Sequence, residues 1–243
     1  MRALSFSSRC GKEILRDPLT LIFGVGLPVV LLFFIHLLSS NIPTGNNAFE
    51  LANFAPGMAV FSFSFISLFT ALLISGDRTS SFLSRLFASP MTPGEFMLGY
   101  ALPMLPVALA QGVVCFAFAF ILGLDFTVNV FLALLVLVPV AAMYIAFGML
   151  FGSAFADKQV GGIFSIFVNL TTWLSGTWFE LELIGGAFET IGYLLPFAHA
   201  VKAVSGALCG SYGEILPHLA WVIGYAVAVS VPAVLIFKRK MRG

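Results

Sequence analysis

Charge is what this sequence lacks. Only 9% of its 243 residues are Asp, Glu, Lys or Arg, against 60% hydrophobic residues. A water-facing surface cannot be assembled from so few polar side chains, which excludes a soluble globular fold and indicates an integral membrane protein. The formal net charge is +1. Clustered excess Lys and Arg, the footprint of a nucleic-acid surface, is missing, and no nucleic-acid partner is expected. The three cysteines, Cys10, Cys115 and Cys209, are too scattered for a disulfide framework or a metal cluster. A phosphate-cradling G-x-x-x-x-G-K-[ST] loop is also lacking. The one Gly-Lys pair, Gly11 and Lys12, has neither the upstream Gly nor the following Ser or Thr, so ATP hydrolysis is not encoded here.

What is present is apolar length. A helix needs about 20 apolar residues to cross the hydrocarbon layer. Six stretches reach or approach that length, near Leu19 to Leu38, Phe54 to Ser75, Phe96 to Leu122, Val128 to Phe155, Val160 to Phe179 and Leu219 to Phe237. Short segments of alternating hydropathy, the mark of an outer-membrane barrel, do not occur. The expected fold is therefore all-α, with six spans in a single domain covering residues 1 to 243. The first span is too long for a signal-peptide core and is read as a retained anchor.

Basic residues are held on the cytoplasmic side of a membrane. With six spans, eleven of the twelve Lys and Arg share the side of both termini, and only Lys202 falls on the other. That opposite side holds Glu50, Asp125, Glu180, Glu182, Glu189 and Glu214. Both ends are expected in the cytoplasm.

Three segments outside the spans carry pattern. In residues 1 to 16, Arg9, Lys12 and Arg16 share one side of a helix and Phe6, Cys10 and Ile14 another, which predicts an amphipathic interfacial helix. Its basic side suits either anionic headgroups or a cytoplasmic partner. In residues 77 to 95, "DRTSSFLSRLFASPMTPGE", Phe82, Leu83, Leu86 and Phe87 predict a short helix with one apolar ridge beside Arg78 and Arg85, ended by Pro90. Thr92, Pro93 and Glu95 then form a capping box that starts the third span. The short helix could lie flat on the membrane or dock elsewhere. In residues 180 to 216, Phe188, Ile191 and Leu195 repeat at helical spacing before Pro196, and Val201, Val204 and Leu208 after it. This predicts a short re-entrant hairpin, or an external loop covering the helix ends.

The basic N-terminus, "LRDPLTLIFGVGLPVVLLFF", "DRTSSFLSRLFASPMTPGEFMLGY" and "LSGTWFELELIGGAFETIGYLLPFAHAVKAV", in that order, resemble the permease subunit of type-2 ABC exporters over nearly the whole chain. The resemblance implies a coupling helix between spans two and three that docks in a cytoplasmic ATPase, here with Asp77, Arg78, Phe82, Arg85, Leu86 and Phe87, and with Arg9, Lys12 and Arg16 nearby. It implies an external gate at the hairpin, with Phe179, Phe188, Ile191 and Leu195. It also implies separate ATPase subunits that bind ATP and Mg, a second copy of this permease or a similar one, and a prokaryotic plasma (inner) membrane. The family's Gly after the charge pair is replaced by Ser80 and Ser81, its frequent Lys at the start of span three by Tyr100, and its Pro after span five by Glu180.

Uncharged polar residues within spans are the pathway candidates: Ser64, Ser67 and Thr70, then Gln111, then Asn169, Thr171 and Thr172. Each must find a partner in hydrocarbon, either in a cavity or as interhelical glue. The near absence of charge within the spans disfavours an ion-coupled secondary transporter, which usually carries it. The same absence favours a lipophilic, amphipathic or drug-like cargo over a strongly charged one. Export of a polysaccharide or lipid-linked glycan by the same architecture is the alternative.

Overall fold

The computed structural model describes residues 2–18, 22–41, 50–79 and 91–240. Among them there is no strand. The helices are α1 (Arg2–Arg16), a π-helical turn (Ile22–Gly26) running into α2 (Leu27–Asn41), α3 (Leu51–Thr79), α4 (Pro93–Ile121), α5 (Asn129–Ala154), α6 (Asp157–Leu174), α7 (Leu181–Ile184), α8 (Gly186–Leu194), α9 (Pro196–Cys209) and α10 (Tyr212–Lys240).

Five helical segments among the described residues are long and apolar enough to cross a membrane: Ile22–Ser39, α3, α4, α5 and α10. The expected fifth span, Val160 to Phe179, is instead α6, which opens on Asp157, Lys158 and Gln159 and stops at Leu174. It stops there because Gly176, with φ of 73°, takes the left-handed conformation that follows many helix ends. The aromatic run after it, Trp178 and Phe179, therefore lies beyond the helix. The two short helices expected around Pro196 are α8 and α9, bent by 75° at Leu195 and Pro196.

The core is built on α3 and α5. Helix α5 packs against α3, α4, α9 and α10. Two glycines let its backbone meet α3: a methyl group on Gly148 would lie 2.5 Å from the Ser67 carbonyl oxygen, and one on Gly152 2.7 Å from that of Ala71. The Ser67 hydroxyl donates to the Tyr144 carbonyl at 2.6 Å across the same contact. Small residues at such crossings replace the hydrophobic drive that is missing between helices in lipid.

The apolar ridge of α1 does not face outward. Phe6, Cys10 and Ile14 are buried, with the Phe6 ring set edge-on to Phe96 at 5.6 Å and Tyr100 at 4.9 Å. The spacing that predicts an interfacial helix thus describes a helix whose apolar side is taken up by α4. Lys12 and Arg16 stay exposed. Helix α4 begins as its residues dictate: the Glu95 amide donates to the Thr92 hydroxyl at 3.3 Å, and the Thr92 amide to the Glu95 carboxylate at 2.7 Å.

Candidate functional site

The last turn of α3 is a junction. Asp77 is 6% exposed. It accepts two bonds from the Arg9 guanidinium, at 2.7 and 3.0 Å, and one from the Tyr100 hydroxyl at 2.9 Å. Arg9 also reaches Glu13 at 2.9 Å. Its hydrogen bonds to Asp77 hold the guanidinium charge even more firmly than usual. A buried carboxylate without such partners would be prohibitively costly, so Asp77 fixes α1 and α4 to the end of α3.

Arg78 turns the other way. One of its nitrogens donates to the carbonyl oxygens of Gly152, Ser153 and Phe155, at 2.6, 2.8 and 3.2 Å. Lys240 donates to Ala154 at 2.7 Å. The last carbonyls of a helix lack intrahelical partners and carry its negative dipole end, so two cations from α3 and α10 close the end of α5. The Ser75 hydroxyl donates to Asp157 at 2.9 Å and ties in the start of α6.

The charge pair predicted to sit on a docking element is therefore the last turn of a long helix, with Asp77 and Arg78 both directed into the chain. Phe82, Arg85, Leu86 and Phe87 lie outside the described residues. Arg9 serves Asp77, while Lys12 and Arg16 join it in lining an open cavity of about 560 Å³ along α1.

Most pathway candidates are bonded within the chain. Ser64 and Thr171 share a hydrogen bond of 3.2 Å that joins α3 to α6. Thr70 donates to Ile66, and Thr172 to Val168. Gln111 is 1% exposed and its side-chain amide has no partner among the described residues. It faces Gly24 in the π-helical turn, where a methyl group would lie 2.3 Å from its nitrogen. Asn169 is exposed on the outer face of α6 with Gly161, Gly162, Ser165 and Trp173, and donates to the Ser165 carbonyl at 2.7 Å.

At the other end of the bundle, Phe179 lies between Trp173 at 5.7 Å and Phe188 at 6.0 Å, which joins α6 to the hairpin. Ile191 is exposed and Leu195 half-buried at the bend. Sequence reasoning missed what holds this end. Glu182 accepts from Lys202 at 3.0 Å and from the Tyr193 hydroxyl. The Tyr193 hydroxyl bond, with Lys202 beside it, draws the Glu182 carboxyl down to about 2. His199 stacks on Trp221 at 5.2 Å and meets His218 at 2.7 Å between ring nitrogens. The lone basic residue among acidic ones was the readable signal for Lys202; the two histidines carry no local pattern.

Among the described residues the arrangement offers no constellation of nucleophile and base. It joins four long helices at the end bearing both termini and leaves residues 80 to 90 between two fixed helix ends. The model for the ABC-2 type transporter family matches residues 4–209. Comparison with curated proteins gives no match. The family match spans the junction at Asp77, the α3–α5 core and the hairpin as far as Cys209, and the chain belongs to the ABC-2 type transporter family as its multi-pass, membrane-embedded permease component.

Proposed function

We propose that this chain is the permease subunit of an ATP-driven exporter that moves a lipophilic, amphipathic or drug-like molecule out of the cytoplasm or inner leaflet. Separate ATPase subunits bind ATP and Mg, and two permeases pair in a prokaryotic inner membrane with both termini in the cytoplasm. In this reading α6 serves as the fifth of six spans, residues 77 to 95 form the coupling segment and residues 180 to 216 the external hairpin, gated by Phe179, Phe188, Ile191 and Leu195. The exposed face of α6, with Gly161, Ser165 and Asn169, suits a contact with the second permease, since small and polar residues at the membrane surface favour helix association.

The observation that carries the reading is the bracketing of residues 80 to 90. Arg9, Tyr100 and the end of α5 hold α3 before them, and the Thr92–Glu95 capping box holds α4 after them. A push on a segment held between two such ends moves helices rather than loops. The test is uptake of a lipophilic dye by inverted vesicles containing permease and ATPase. ATP-dependent uptake supports the reading. Uptake driven by an ion gradient without ATP would replace it with secondary transport.

A further inference from the structure

Outside the junction, the most built feature is a pair of adjoining hollows on α10. The first is a polar cavity of about 570 Å³ between α9 and the start of α10, with Lys202, Ser205, Ser211, Glu214, Pro217 and His218 in its wall. The second is a groove of about 460 Å³ lined by Pro217, Ala220, Trp221, Gly224, Tyr225 and Ala228. Pro217 lines both, so the two adjoin along one side of α10, the polar cavity at its start and the groove further along.

The groove is apolar except at the rims of its two aromatic walls. Trp221 is backed by the stacked His199 ring, and the Tyr225 hydroxyl is fixed by the Leu194 carbonyl at 2.8 Å. Between them Gly224 leaves open space where any other side chain would stand. From Pro217 to Ala228 the helix rises by about 17 Å, close to half of a hydrocarbon core of about 30 Å. That is the depth of one leaflet.

The polar cavity holds charges of both signs. Lys202 has three N–H donors and gives two, to Glu182 and the Tyr193 hydroxyl, keeping one for a ligand. Glu214 contributes a carboxylate in the first turn of α10. With Lys202 already paired to Glu182, a purely anionic headgroup would meet Glu214 uncompensated. A headgroup with both a phosphate and a primary ammonium answers both: phosphate beside Lys202 and the Ser205 and Ser211 hydroxyls, ammonium beside Glu214.

We propose that this hollow binds one phosphatidylethanolamine molecule of the leaflet at the Glu-rich end of the bundle, headgroup between Lys202 and Glu214 and one acyl chain along Gly224. The inference rests on the chain spanning a membrane and not on the direction of transport or on the ATPase. Native mass spectrometry of the intact chain in mild detergent, with phosphatidylethanolamine or phosphatidylglycerol added at equal concentration, tests it. Phosphatidylethanolamine is expected as a single retained adduct and phosphatidylglycerol is not. Glu214→Gln, at an exposed position, removes a charge-assisted bond and should weaken retention about tenfold. A Cβ at Gly224 meets nothing within 4 Å, so Gly224→Trp can enter at the backbone without a clash, fill the groove between Trp221 and Tyr225, and should abolish retention. Equal retention of the two lipids, or retention unchanged in both variants, would overturn the proposal. So would an efficient disulfide between two copies of Gly224→Cys, which would put a second protein chain where the lipid is placed.

Discussion

The Arg9 guanidinium grips the Asp77 carboxylate through two hydrogen bonds, 2.7 and 3.0 Å long, across 68 residues of sequence. This contact makes the first helix of the chain part of the same body as the end of α3. Because Asp77 is buried, the pair is asymmetric in what its loss does. Asp77→Leu takes the buried acceptor from the Tyr100 hydroxyl and from Arg9, which keeps Glu13, and should cost about 2–4 kcal/mol. Arg9→Met with Asp77→Leu should recover part of that loss, since removing both partners leaves no stranded charge. Thermal unfolding of the detergent-purified variants, run as a double-mutant cycle, measures both.

Arg78→Gln tests transmission rather than stability. It removes the cation from the carbonyls of Gly152, Ser153 and Phe155, while Lys240 still holds Ala154. A modest stability loss of about 1–2 kcal/mol is expected. ATPase binding should persist and substrate-stimulated ATP hydrolysis should drop, because the end of α3 could then move without α5. Full stimulation in this variant would remove Arg78 from the transmission route.

The α3–α5 crossing predicts a sharp contrast between glycines. Gly148→Ala forces a methyl group to within 2.5 Å of a backbone oxygen and should cost about 2 kcal/mol or more, seen as lost monodispersity on size exclusion. Gly76→Ala, on α3 itself, meets nothing within 4 Å and should leave the size-exclusion profile unchanged.

Cysteine chemistry reads the topology without engineering. Cys209 is exposed, whereas Cys10 and Cys115 are buried. Burial also pushes the Cys10 thiol up to about 12, so at pH 8 almost none of it is the reactive thiolate. A membrane-impermeant maleimide should label one site, Cys209, on intact cells and none on sealed inverted vesicles. The reverse pattern would invert the orientation drawn from Lys and Arg placement.

Local signals in the sequence were legible wherever the physics is local. The long apolar runs of α3, α4, α5 and α10, the Thr92–Glu95 capping box and the bend at Pro196 all follow from neighbours a few residues apart. The amphipathic ridge of α1 was legible as a ridge, but its partners, Phe96 and Tyr100, are far along the chain. For the same reason Asp77 and Arg78 read as one adjacent charge pair, while their partners divide them between α1 and α5. The end of α6 was overrun because Trp178 and Phe179 continue the apolar run past Gly176, whose left-handed backbone stops the helix. His199 and His218 meet only because α9 and α10 pack side by side.

The central claim is that residues 80 to 90 couple this permease to an ATPase, and Leu86→Asp addresses it most directly. If Leu86 fills an apolar cleft, a carboxylate there is a desolvated charge worth several kcal/mol of lost binding. Equal amounts of folded unaltered and Leu86→Asp permease are used to capture the ATPase, with Val130→Asp, at the far end of α5, as a control for general damage. The account predicts that ATPase capture and substrate-stimulated hydrolysis fall together in Leu86→Asp alone. Capture and stimulated hydrolysis that stay at the unaltered level would contradict it.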